Sequence, residues 1–348
     1  MGRNFRTPKQ FLQILNRIAD RRIGEIEAGF LAAVNVTVST INFPKLVDAL
    51  QRRDVTAVLD AAQLNGLQPR LRRSLESSLR KVFNTAAIAT QATLPPDLQF
   101  KFNLVDPRAV RWARLHTAKL VTQISDHAKA NIRKLIARNI REGISIAGGR
   151  VDTARVLRRD LKATLGLTQA SYDGLQVYRD TLNKRLAVSK LLRAGIDRDA
   201  IAEQARVTPQ YVGRLANRRW LWLESADVEA RVDREAGRRL RYRAKVIGRT
   251  ETLTAANAGN YEAWQQAADL DYIRPAQTRR IFVVAKDDRT CPICKAIPTL
   301  NPNGVRFDEP FRTPVGLKML PPIHVQCRCS TALKFELAEQ AQEGRQAA

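Results

Sequence analysis

Aromatic side chains are scarce in this chain, at 6% of 348 residues, and methionine occurs only twice. A core of stacked rings is therefore excluded, and Leu, Ile, Val and Ala must do the packing, which suits helices. Histidine has three copies and cysteine four, every cysteine lying beyond residue 290. So thin a supply excludes a disulfide-rich scaffold for the chain as a whole. Long hydrophobic runs are also missing. The longest uncharged stretches, 28–44 and 82–96, are studded with Asn, Thr, Gln and Ser. They fall short of the roughly 18 strongly apolar residues of a spanning helix. Residues 1–10 are basic, but the apolar stretch behind them is broken by Gln13, Asn16 and Arg17 and has no small-residue cleavage site. No secretory leader is read there. The expectation is a soluble protein made in a reducing cytoplasm, with no membrane needed for its assembly. At 44% apolar residues, disorder throughout is excluded too.

Acidic residues are short, 34 against 59 Lys and Arg, which leaves +25. Segment by segment, residues 1–106 hold 15 basic and 9 acidic, 107–250 hold 32 and 14, and 251–348 hold 12 and 11. The excess sits in the central segment and most of it is arginine. Clustered Arg and Lys release condensed counterions when they meet phosphates, so double-stranded DNA bound without sequence preference is the natural partner. The arginines best placed for it are Arg214, Arg218, Arg219, Arg238, Arg239, Arg241 and Arg243. The competing reading is a solvated helix surface.

The periodicity predicts a mainly α protein: an elongated helical body with a small C-terminal α+β module. Helices are read at 8–22, 45–63 and 68–83, joined by the uncharged stretches, and Leu94-Pro95-Pro96-Asp97 reads as a hinge. Asp106 caps a helix beginning at Pro107 and ending before Gly143. On it Val110, Ala113, Thr117, Leu120, Val121, Ile124, Ala128, Ile132, Leu135, Ile136 and Ile140 form one apolar face. Ala147-Gly148-Gly149 breaks the pattern. Further helices are read at 151–165, 169–194 (capped by Thr168, closed by Gly195), 198–205, 209–219 and 224–268. Strands are read at 281–285, 305–307 and 327–335. The division that follows is 1–96, a helical region docking a partner; 97–270, the Arg-rich body; 271–335, the module; and 336–348, a polar tail.

The chemistry lies in the module. Cys291-Pro-Ile-Cys294 is followed, 29 residues on, by His324-Val-Gln-Cys327-Arg-Cys329. A C-x-x-C knuckle sets two thiolates on one side of a tight turn, and H-x-x-C or C-x-C completes a tetrahedron. Cys327 and Cys329, two apart in a strand, would share a face. Four of Cys291, Cys294, His324, Cys327 and Cys329 are therefore expected to hold one structural zinc. The alternatives are two disulfides, which a reducing cytoplasm disfavours, or four plain thiols. Asp287, Asp288, Asp308 and Glu309 lie close enough in sequence to serve as the base of a catalytic zinc, but five soft ligands close a shell more readily than they open it. A module of some sixty residues also needs a staple.

These strings resemble the C-terminal signature of the phage Mu F-like minor head (head morphogenesis) proteins: Lys286-Asp-Asp-Arg-Thr-Cys-Pro-Ile-Cys294 and Leu320-Pro-Pro-Ile-His-Val-Gln-Cys-Arg-Cys329. Upstream, Ala244-Lys-Val-Ile-Gly-Arg-Thr-Glu-Thr252 with Ala255-Ala-Asn-Ala-Gly259 looks like the helix that precedes the signature in that family, and Gly166-Leu-Thr168 fits its central pattern. The resemblance runs over about 107–335. It implies a virion head protein, not an enzyme, made in the host cytoplasm, associated with the portal during procapsid assembly and in contact with packaged DNA. Major capsid or scaffold protein are further partners. Some relatives continue into a toxin or enzyme domain; none is expected here.

Two patterns compete. Residues 200–215 read like a helix-turn-helix, with Ile201, Ala202, Ala205, Val207, Val212 and Leu215 inside and Gln210, Arg214, Asn217 and Arg218 outward. Arg206 stands where such turns usually have glycine. A sequence-specific DNA-binding regulator is the alternative function this supports, and a metal-dependent hydrolase is the other. Arg249, Thr250 and Glu251 have no nucleophile–base pair beside them, so an ion pair or buried hydrogen bond is expected there. His116 and His127 are given no role.

Overall fold

The computed structural model describes residues 7–52, 54–62, 66–94, 100–141, 160–162, 164–216, 218–285 and 290–335. The chain divides into two compact units. The first is drawn from residues up to 30, 69–121 and 244 onward; the second from 31–68 and 122–243. The boundaries fall inside four helices, α1 (Pro8–Ser39), α4 (Leu67–Gln91), α5 (Pro107–Arg141) and α10 (Ser225–Asp269). The units are therefore not consecutive segments. Counted by unit, the first carries 30 basic and 17 acidic residues and the second 29 and 17. The concentration of charge seen along the sequence does not survive as a property of one unit.

In the first unit the helical packing rests on α4 (Leu67–Gln91). Leu71, Leu75, Leu79, Val82, Phe83, Ala86 and Ala87 recur at three- and four-residue steps and are buried, as are Phe11, Leu15, Ile26 and Phe30 of α1. α10 meets α4 closely because it is lined by small residues: Ala255, Ala256 and Ala263 are fully buried. A Cβ on Gly259 would lie 2.1 Å from the Phe83 carbonyl oxygen. Both α1 and α4 run well past the expected ends, and the uncharged stretches taken for connectors are helix as far as Ser39 and Gln91. Their threonines explain why. Thr37 and Thr90 donate to the carbonyls of Ala33 and Ala86, each at 2.8 Å, and are fully buried. A hydroxyl satisfied by its own helix can sit in a core. A chain starting at residue 97 would lack much of this unit's core.

The module belongs to the first unit. β1 (Thr278–Val283) pairs antiparallel with β2 (Val305–Arg306) on one side and β5 (Ser330–Phe335) on the other. α11 (Pro292–Leu300) and a hairpin of β3 (Phe311–Thr313) and β4 (Gly316–Lys318) complete it. The expected third strand is shorter than read: residues 327–329 precede it and are not paired.

In the second unit, α2 (Phe43–Gln51) and α3 (Val55–Ala61) replace one expected helix. Asp54 interrupts it by capping α3, accepting from the Ala57 N–H at 2.9 Å. α6 (Gln169–Arg193) starts at Thr168, whose hydroxyl accepts from Ser171, and is followed by Gly195 at φ +76°. The short helices α7 (Arg198–Gln204), α8 (Pro209–Leu215) and α9 (Arg218–Leu221) come next. α5 buries its expected face from Ala113 to Leu135, but Val110 is 47% exposed. Residues 95–97, 143, 147–149, most of 151–165 and 336–348 lie outside the described residues. Among the described residues no single helix is long and apolar enough to cross a membrane; α1 and the start of α2 reach that composition only as a bent pair.

Candidate metal centre

The five expected ligands converge. Cys291 is the N-cap of α11, and its sulfur accepts the N–H of Cys294 at 3.4 Å. Pro292 at the first helical position suits the cap. One turn of helix thus points two sulfurs the same way. The His324 Nε2 lies 3.0 Å from the Cys291 sulfur and 3.2 Å from that of Cys294. Cys294 and Cys327 sulfurs are 3.6 Å apart. Two overlapping triads result, Cys291–Cys294–His324 and Cys294–Cys327–Cys329, with donor atoms in each within 4.8 Å of one another. Cys294 is common to both. Cys327 and Cys329 do come to one cluster, but from an extended loop and not from a strand face.

The donor set fits a zinc ion. All four cysteines are free thiols. The His324 Nδ1 stands 2.8 Å from the Val325 carbonyl. A carbonyl only accepts, so Nδ1 carries the proton and Nε2 turns its lone pair to the sulfurs, the arrangement that orients a metal-bound imidazole. The surroundings are apolar: Cys294, Cys327 and Cys329 share a buried cluster with Phe282, Ile297, Val305, Phe311 and Ile323. Without a cation the thiols are forced to share protons. Hydrogen bonds from Cys294 and Cys329 lower the Cys327 pKa, and the bond to Cys327 raises that of Cys294. A bound cation would relieve this by accepting several thiolates at once.

No carboxylate joins either triad among the described residues. Glu309 turns its carboxylate to the Arg306 N–H at 3.4 Å, and Asp287 and Asp288 lie outside the described residues. Beside the cluster Arg280 is fully buried. It donates to the carbonyls of Met319 (2.8 Å) and Glu309 and lies over the rings of Tyr261 and Phe311. Burial lowers its pKa. Sequence reasoning missed it, and a cation in the alternating strand 278–283 was the available signal.

The arginines expected to meet DNA differ in exposure and pairing. Arg214 and Arg241 are exposed. Arg238 is exposed and paired with Glu235, while Arg239 is bonded to Glu235 at 2.7 Å and to the Ser171 carbonyl at 3.0 Å. Arg243 drops out: it is 8% exposed and donates to the Gly166 carbonyl at 2.8 Å, and burial lowers its pKa to about 10. The side chains of Arg218 and Arg219 lie outside the described residues. The helix pair exists: Ile201, Ala202, Val212 and Leu215 are buried together with Val188 of α6, while Ala205 and Val207 pack at the margin. Arg206 adopts φ +51° at the turn. Glu251 pairs with His116 at 2.6 Å, and that ring stacks on Trp112 at 4.9 Å.

Residues 185–332 match the Phage Mu protein F like protein family. The chain carries a phage Mu F-like segment. That segment takes in the helix pair of the second unit and the whole metal cluster. No curated protein and no solved structure matches the chain significantly.

Proposed function

We propose that this phage Mu F-like protein is a structural component of a tailed-phage head and not an enzyme. In this reading it associates with the portal during procapsid assembly in the host cytoplasm and ends in the head interior against packaged DNA. Major capsid or scaffold protein are further contacts. One structural zinc per chain closes the module, held by four of Cys291, Cys294, His324, Cys327 and Cys329. The observation that carries the reading is the coincidence of the family match with a thiol–imidazole cluster that no carboxylate joins among the described residues. A structural site has a closed shell of soft ligands; a catalytic one keeps a position open for water beside a base.

The DNA contact is supported by net charge, which is carried by both units. A protein neutralising several phosphates binds duplex of any sequence and loses affinity with salt by a log–log slope of about −0.9 per contact. Replacing Arg214, Arg238 and Arg241 together by Gln should flatten that slope, whereas Arg243→Gln should act on stability instead. Salt-independent binding sinks the packaging contact. Strong preference for one sequence favours a regulator built on α7 and α8, whose exposed Gln210 and Arg214 would then read bases. Hydrolytic turnover lost on chelation would favour the hydrolase. Copurification of the protein with portal in procapsids tests the assembly role directly, and procapsids that form normally without it oppose that role.

A further inference from the structure

One face of α10 is bonded to the backbone that carries the last two cysteines. Thr250 Oγ1 accepts the Gln326 N–H at 3.1 Å. Asn257 Nδ2 donates to the Cys329 carbonyl at 3.3 Å, and Asn260 Nδ2 donates to the Thr331 carbonyl at 3.2 Å. From α1, Asn16 Nδ2 donates to the Arg328 carbonyl at 3.2 Å. These contacts all fall within residues 326–331 and flank both Cys327 and Cys329. Gln326 lies at φ +60°, in a turn closed by the Cys327 N–H on the His324 carbonyl at 3.1 Å. That turn also spaces His324 from Cys327.

The three α10 residues bond beyond their own helix, although Asn257 Nδ2 also donates to the Leu253 carbonyl at 2.9 Å. Asn and Thr are poor helix formers, and Asn257 and Asn260 are fully buried. A buried amide left unbonded is costly, so its partner explains its presence. Positions 250, 257 and 260 are seven and three apart, which sets them on one face. The Asn260 amide is engaged on both sides, since its oxygen accepts from the Thr90 hydroxyl at 2.9 Å.

We infer that Thr250, Asn257, Asn260 and Asn16 are positioning residues of the metal centre. They hold the Cys327–Cys329 half of the ligand set on α10 and α1. The ion then joins α11, with Cys291 and Cys294, to a loop already in place. This rests on the reading that the cluster binds a metal. A role confined to packing would change stability alone; a positioning role changes metal affinity, because outer-sphere partners typically hold ten- to a hundredfold of it.

The test uses the full chain, titrated with zinc against a chromophoric chelator and with cobalt(II) to report the ligand set. Thr250→Val and Asn257→Ala should each weaken zinc binding roughly ten- to a hundredfold, with one ion still bound and an unchanged cobalt spectrum. Thr250→Ser, which keeps the hydroxyl, should restore the wild-type affinity. Leu75→Ala, remote in the same unit, should lower the melting temperature without moving the affinity. If Asn257→Ala does not fold, Thr250→Val against Thr250→Ser still decides. Variants that melt earlier yet bind zinc as tightly as wild type overturn this inference alone. A wild-type chain that binds neither ion overturns the metal reading and this inference with it.

Discussion

The module of the first unit and the α7–α8 pair of the second are both small, and both lie within the phage Mu F-like segment, yet they are held by different physics. The helix pair is an ordinary apolar assembly. Its core is Val188, Ile201, Ala202, Val212 and Leu215, and its ends are closed by Asp197, which accepts from Asp199 and Ala200, and Thr208, which accepts from Tyr211. The module spends much of its interior on groups that are poor at hydrophobic burial: three buried thiols and a fully buried guanidinium. Such groups stabilise only when each has its partner. The pair should therefore degrade gradually under substitution, while the module should fail when one shared partner is lost.

The largest effect should come at Cys294. It belongs to both triads, so Cys294→Ser removes a donor from either possible ligand set. Cys291 is only partly buried and belongs to one triad. Cys294→Ser should abolish tight zinc binding and cost several kcal/mol, since metal binding is folding free energy for a small module. Cys291→Ser should do less. Zinc titration with thermal unfolding checks the order, and equal losses would make the two triads equivalent.

Next, Ile201→Ala should cost about 2–5 kcal/mol through the cavity it leaves, with zinc content unchanged. Thermal unfolding with elemental analysis decides, and metal loss in this variant would contradict the contrast. Thr208→Ala removes a cap and should cost about 1 kcal/mol, read in the same melting experiment.

The smallest effect concerns His127. Burial, then the Arg243 charge whose guanidinium lies 3.3 Å away, lower its pKa, and Asp126 offsets this in part. A base with a depressed folded pKa is protonated first in the unfolded chain. Its contribution is intact above the unfolded value near pH 6.5 and is lost as pH falls below it. His127→Gln should flatten the decline in stability from pH 7 to 5, as followed by denaturant unfolding.

The parts legible in the sequence were those set by neighbours along the chain. Asp106 and Thr168 announce helix starts because a cap acts over three residues. The cluster was legible because its five ligands form two short strings. What depends on tertiary approach was not. Residues 28–39 and 84–91 look like linkers until their threonines bond to their own helices. α11 is hidden by Pro298 inside it and by its nine-residue length. Asn16 and Arg328 are 312 positions apart, and no local pattern joins them. The charge excess of 107–250 is divided between the two units for the same reason: a window of sequence is not a unit of structure.

The central claim is that one metal ion completes the module and leaves the helix pair alone. Hydrogen exchange of the full chain, freshly reduced, with its zinc content measured before and after chelation, tests this most directly. The account predicts about one zinc per chain, and on its removal a loss of protection in residues 290–335 with residues 198–215 unchanged. No zinc in the reduced protein, or equal loss of protection in both regions, would contradict it.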